Sequence, residues 1–277
     1  MDINNMINEK FNVENKNIVL TGSSGRLGTQ YANFLSSGGA NMILLDINSD
    51  ANQKLAEDIR SQYNTNCTSY KCDISNKKSI TRISDLIIKK YSKIDGLINN
   101  AGFTTSFAKK QKTKSYSSSF EDLPIELWNQ TLDVNLTGTF LCCQEFGKQM
   151  VKQKSGSIIN IASHYGLIAP DQRIYGKSKL SLPISYAASK SGIINLTRYL
   201  AAYWREKNIR VNTLTPGGVL DTNIQSKDFI KKYSEKTILN RLANPDEYNG
   251  AILFLISNAS SYMTGSNLVI DGGWTAL

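Results

Sequence analysis

Short runs that are apolar at every position alternate with longer runs that are apolar only at helical spacing, along nearly all of the 277 residues. NIVLTG (17–22), NMILLD (41–46), CTSYKCD (67–73), GLINNAG (96–102), GSIINIAS (156–163), NIRVNTLTPGG (208–218) and NLVIDGG (267–273) read as strands, mostly without a polar face. Between them, RLGTQYANFLSS puts Leu27, Tyr31, Phe34 and Leu35 on one helical face. Segments near 50–62 and 76–91 do the same with Ala51, Leu55 and Ile59, and with Ile80, Ile83 and Ile87. Strands buried on both faces and joined by crossover-length helices predict a doubly wound parallel sheet in three layers, α/β/α. The pattern predicts a single domain over 1–277, with no linker.

Composition narrows the class without naming a chemistry. Apolar residues make up 40% and charged residues 20%, an ordinary globular balance. No run reaches the roughly 20 apolar residues of a membrane helix, and MDINNMINEKFNVENKN lacks the apolar core of a secretory leader. Cys67, Cys72, Cys142 and Cys143 show no metal-ligand spacing, so no metal site is expected and the cysteines read as small buried hydrophobes in a reducing, cytoplasmic compartment. The net charge of +9 allows an anionic partner. No helix-turn-helix or zinc-finger spacing points to nucleic acid, and nothing points to a membrane.

TGSSGRLG (21–28) joins the first strand to the first helix. Gly22, Gly25 and Gly28 let backbone N–H groups approach a pyrophosphate, and the helix N-terminus adds its partial positive charge. This is a Rossmann-like arrangement, and Ser24, Arg26 and Leu27 share the loop. Asp46 ends the second strand, where a ribose-binding carboxylate belongs and where it would repel a 2′-phosphate, so NAD is favoured over NADP. Arg26 could partly offset that repulsion. Asp73 would face the adenine amino group, with Ile74 against the ring.

TGSSGRLG, NNAG (99–102), the Asn of DVNLTG (133–138), Ser163, YAASK (186–190), TPGG (215–218) and YMTGSNLVIDGGW (262–274) stand in the order seen in short-chain dehydrogenases/reductases. The chain resembles that family's compact, single-domain branch over essentially its whole length. One departure is that Arg26 stands where the branch usually has its second loop glycine. Tyr-x-x-x-Lys occurs twice, as Tyr175/Lys179 and Tyr186/Lys190. Pro183 would interrupt a helix begun at Tyr175, whereas the apolar pattern runs unbroken from Tyr186 through Ile193, Ile194, Leu196, Leu200 and Ala201. The interval from Tyr186 to Pro216 also fits the family, so Tyr186 and Lys190 are taken as the catalytic pair.

The resemblance implies the roles. Tyr186 is the general acid/base. Lys190 lowers its pKa and holds the nicotinamide ribose. Ser163 donates to the reacting oxygen, and Asn135 anchors a relay water. It also implies cofactor contacts at Asn100, Ala101, Gly102, Pro216, Gly217 and Val219. Thr222 stands one position later than the family's lid threonine.

Three segments are read as building the substrate side: insertions near 103–123 and 164–185, and a lid near 217–236. The first carries Lys109, Lys110, Lys112 and Lys114, and the second carries Arg173, Lys177 and Lys179. Basic loops beyond the strand ends suggest an anionic substrate such as a phosphosugar or nucleotide sugar, against the alternative of solvated loops. Ser163, His164, Tyr186 and Gly218 are expected at the substrate, with ordinary loop packing as the alternative for His164. The segment 164–185 and the lid look most like bacterial flagellin-modification oxidoreductases of the short-chain type, which are associated with surface-sugar pathways. The expected function is NAD-dependent interconversion of a secondary alcohol and a ketone on a sugar derivative. A 3-oxoacyl-carrier-protein-type reductase and a non-catalytic dinucleotide sensor are the alternatives. A homotetramer or homodimer is expected by resemblance, pairing helices near 124–152 and 184–206 through Phe140, Phe146, Tyr199 and Tyr203.

Overall fold

The computed structural model describes residues 3–104, 119–176 and 181–277. Lys109, Lys110, Lys112, Lys114, Lys177 and Lys179 lie outside the described residues. Seven parallel strands form one sheet in the order β3-β2-β1-β4-β5-β6-β7. They are β1 (Asn17–Thr21), β2 (Asn41–Asp46), β3 (Cys67–Lys71), β4 (Gly96–Asn99), β5 (Gly156–Ile161), β6 (Ile209–Pro216) and β7 (Asn267–Ile270). Each falls inside a run predicted from the apolar pattern.

The period of two along each strand builds the layers. Ile18, Leu20, Met42 and Leu44 face one way and pack under α2 (Arg26–Ser37), α3 (Ser49–Tyr63) and α9 (Asn249–Ile256). Val19, Ile43 and Leu45 face the other way, under α4 (Lys77–Tyr91) and α6 (Gly138–Gln153), joined by the C-terminal part of α7 (Ile184–Tyr203). The chain is therefore doubly wound, and the crossover from β3 to β4 reverses direction beside β1. Thr21 pairs with Asn99 there, so the glycine-rich loop and NNAG leave the sheet side by side at the crevice where such sheets bind ligands.

Three expectations change. Phe146 is fully buried in the core on the inner side of α6, so it is not an outer position; Phe140, Tyr199 and Tyr203 are exposed. The helix expected near 124–152 is broken by a π-helical turn, Asp133–Thr137, between α5 (Ile125–Leu132) and α6. A helix unforeseen in the sequence, α1 (Ile3–Phe11), precedes β1. All four cysteines are free and buried, and burial pushes the Cys67 and Cys143 thiols up to about 12. No described helix is long and apolar enough to cross a membrane.

Candidate active site

The glycine-rich loop is built so that a side chain would obstruct it. Gly22 has φ +62°, and a Cβ there would stand 2.6 Å from the Ala101 Cα. A Cβ on Gly28 would fall on the Gly22 carbonyl oxygen and lie 2.8 Å from the Ser23 Cα. Gly25 caps α2 with no side-chain acceptor, which leaves the first-turn amides for an anion. Thr21 Oγ1 accepts the Asn100 and Ala101 N–H groups at 3.0 and 3.1 Å. The Asn100 amide donates back to the Thr21 and Gly22 carbonyls at 3.1 and 3.0 Å, so it braces the loop. These residues fit a pyrophosphate.

Asp46 ends β2 with both carboxylate oxygens engaged, accepting the Ser24 N–H and the Asn48 N–H at 2.9 Å each. Arg26 is held elsewhere. Its guanidinium pairs with Asp221 and reaches the Val219 carbonyl at 3.4 Å, so the loop's cation bridges to the segment after the Pro–Gly turn. Asp73 holds the Ser75 N–H and hydroxyl, and Ile74 is buried against Gly138.

On the other side of the crevice, α7 carries Tyr186 and Lys190 one turn apart, with the Lys190 ammonium 5.7 Å from the Tyr186 ring centroid. Lys190 Nζ donates to the Ile161 carbonyl at 2.8 Å, and burial lowers its pKa to about 8, so it remains cationic at neutral pH. Burial raises Tyr186, and a hydrogen bond with Ser163 opposes that rise. Gly102 joins the set, since a Cβ there would lie 3.7 Å from both the Asn135 Oδ1 and the Lys190 Nζ. Asn135 sits within the π turn. Its side chain accepts the Phe103 N–H at 2.6 Å and donates to the Phe103 carbonyl and the Ser189 hydroxyl, clamping the end of NNAG against α7. Asn135, Ser163, Tyr186 and Lys190 thus converge from three segments, the π turn, the end of β5 and α7.

The second Tyr-x-x-x-Lys match goes elsewhere. Tyr175 is buried against Phe229 of α8 (Lys227–Ser234), with ring centroids 5.4 Å apart. The insertion and the lid form one roof, with Tyr165, Ile174, Tyr175 and Leu182 packed on Phe229, Tyr233 and Trp274. Asp171 joins Arg173 and Lys236 at 2.8 and 2.9 Å.

His164 and Gly218, both expected at the substrate, meet the buried aromatic cluster. His164 is 2% exposed, in contact with the Tyr165, Tyr233 and Trp274 rings, and a Cβ on Gly218 would lie 2.5 Å from the Tyr233 hydroxyl. The sequence reading missed Tyr233 and Thr21. Phe229 and Tyr233 at i, i+4 were the signal for the first, and a threonine ending the strand before Gly22 for the second.

Comparison with known proteins agrees with this geometry. Residues 23–275 match the family model described as enoyl-(acyl carrier protein) reductase. An NAD-dependent glycerol dehydrogenase of Listeria innocua is 36% identical over 270 residues, 96% of each chain. The post-translational flagellin modification protein A of Campylobacter coli is 33% identical over 263 residues, 95% of this chain and 99% of that one. A short-chain dehydrogenase of Leptospira borgpetersenii, solved with bound NAD+, superimposes with a TM-score of 0.83 at 35% identity, covering 99% and 97% of the two chains. The chain belongs to the short-chain dehydrogenase/reductase family. It is an oxidoreductase of CH–OH groups, acting on alcohol or ketone substrates with NAD(P).

Proposed function

We propose that this enzyme uses NAD to interconvert a secondary alcohol and a ketone on a sugar derivative, with Tyr186, Lys190, Ser163 and Asn135 as its catalytic set. The observation that carries the cofactor choice is the pairing of charges at the loop. Asp46 presents a carboxylate where a 2′-phosphate would have to sit, and Arg26, which could offset it, is committed to Asp221. The NAD-dependent relative and the NAD-bound neighbour support the same choice.

The nicotinamide, when bound, supplies the hydride acceptor or donor. In the oxidising direction Tyr186 takes the alcohol proton on its phenolic oxygen while Ser163 donates a hydrogen bond to the reacting oxygen. In reduction Tyr186 returns that proton. The cationic Lys190 beside the ring favours the phenolate, and the hydrogen bond with Ser163 opposes the effect of burial. Asn135 keeps Phe103 and α7 in register around Lys190 and is the residue to which the resemblance gives a relay water.

A polyhydroxylated substrate is supported by the glycerol dehydrogenase and flagellin-modification relatives. The anionic group expected from the basic insertions rests on lysines outside the described residues and on Arg173, which shares the Asp171 carboxylate with Lys236. Assembly through exposed Phe140, Tyr199 and Tyr203 would give a homodimer or homotetramer; Tyr199 and Tyr203 stack at 5.9 Å on that face.

The test is hydride transfer followed by nicotinamide absorbance, with NAD and NADP, over polyols, phosphosugars and nucleotide sugars. Turnover with NAD that is lost in Tyr186→Phe and kept in Tyr175→Phe is expected. The reverse result for the two tyrosines would overturn the catalytic set. Turnover of neutral polyols alone would remove the anionic group from the substrate.

A further inference from the structure

Every polar backbone group of the turn after β6 is held by a different part of the chain. The Gly217 N–H donates to the Ile270 carbonyl at 2.8 Å, and the Gly217 carbonyl accepts the Tyr248 hydroxyl at 3.3 Å. The Gly218 carbonyl accepts the Ala243 N–H at 3.0 Å. The two remaining groups run into the buried aromatic cluster. The Gly218 N–H donates to the Tyr233 oxygen, and the Pro216 carbonyl lies 3.4 Å from the His164 Nδ1. Tyr233 and His164 meet each other at 3.5 Å, hydroxyl to Nε2.

For a neutral imidazole only one arrangement of protons satisfies all of these contacts. A carbonyl can only accept, so Nδ1 carries the hydrogen and donates to Pro216. Nε2 then has a lone pair and accepts from the Tyr233 O–H, whose oxygen accepts from Gly218. The bonds run in one direction round a closed circuit from Gly218 through Tyr233 and His164 to Pro216, an arrangement in which each bond polarises the next. The imidazole must be neutral for this, and burial lowers its pKa to about 4. A glycine is required at 218 because the Tyr233 hydroxyl occupies the place of a Cβ.

We propose that His164 and Tyr233 are positioning residues, which tie the Pro216–Gly218 turn both to Ser163, the residue preceding His164, and to the lid helix α8. This rests on the assignment of Ser163, Tyr186 and Lys190 above. The turn that borders the nicotinamide site and the hydroxyl that meets the substrate oxygen are thereby held at one separation, and a movement of α8 reaches both.

The test separates the two links. Tyr233→Phe deletes one oxygen and keeps the ring packing. His164→Asn keeps an amide donor near the Nδ1 position but cannot reach Tyr233. Each is expected to weaken NADH binding, read by titration of its fluorescence, about three- to tenfold, the worth of one neutral hydrogen bond. Each lowers kcat by a similar factor and leaves KM for the alcohol within about twofold. Because the bond cut by His164→Asn is one that Tyr233→Phe already removes, the double variant is expected to be no worse than Tyr233→Phe alone. Unchanged NADH affinity and kcat in Tyr233→Phe, or losses that multiply in the double variant, would overturn the proposal. Full activity in Tyr186→Phe would instead overturn the catalytic assignment, whatever the NADH titrations give.

Discussion

The glycine-rich loop and the roof both lie beyond the carboxyl ends of the strands, yet they are held by different forces. The loop is fixed by backbone groups: Thr21 and Asn100 staple it to NNAG, and Asp46 holds its Ser24 amide. Glycines leave no space to fill. The roof is fixed by side chains, with the Tyr175, Phe229, Tyr233 and Trp274 rings packed together and Asp171 shared between Arg173 and Lys236. Backbone hydrogen bonds and missing Cβ atoms give one shape with little tolerance, which suits a cofactor of invariant form. Packed side chains can be exchanged for others of similar volume, which suits a wall whose ligand differs between relatives.

The sharpest way to break this contrast is Gly28→Ala. The new methyl meets backbone on two sides, so α2 must move away from the loop, and NADH affinity is expected to fall about a hundredfold. Affinity kept within a few-fold of wild type would show the loop to be as forgiving as the roof. Next in size is Tyr175→Ala, which empties space beneath α8 and should cost about 3 kcal/mol in urea denaturation. It should raise KM for the alcohol while leaving NADH affinity nearly unchanged. Equal losses in both would mean that the two regions form one unit.

A smaller effect comes from acid. His164 is the only histidine of the chain. Its folded pKa lies near 4, below the unfolded value near 6.5. The unfolded chain therefore binds the extra proton between these values, and stability falls as pH drops through that window. The roof should lose about 2 kcal/mol between pH 7 and pH 5, a slope absent in His164→Gln when urea melts are compared. The smallest change is expected from Asp46→Ser, which removes the carboxylate facing a 2′-phosphate. It should narrow the NAD-over-NADP preference about tenfold in kcat/KM, whereas an unchanged ratio would remove Asp46 from cofactor choice.

Much of the molecule was legible along the chain because its signals are local. Runs such as NMILLD are apolar on both faces only because both faces are covered, and the unbroken pattern after Tyr186 set it apart from Tyr175, which Pro183 follows. The failures lie where a partner is distant. Nothing near Phe146 says that its side of α6 turns inward, and nothing near Asn135 says that the helix takes a π turn to bring its amide onto Phe103. Nothing near Arg26 says that Asp221, 195 positions away, pairs with its guanidinium. Nothing near His164 or Gly218 says that both meet Tyr233.

By itself, then, the sequence determined the doubly wound sheet, the glycine-rich loop and the residues that meet at the ends of β4 and β5 and on α7. Periodicity, glycine spacing and a helix-breaking proline act within a few residues of where they are written. Tertiary structure alone decided which charges are paired, which histidine tautomer the core accepts and which side chains close the roof. Those outcomes depend on burial and on hydrogen-bond partners brought together from segments that the linear order keeps far apart.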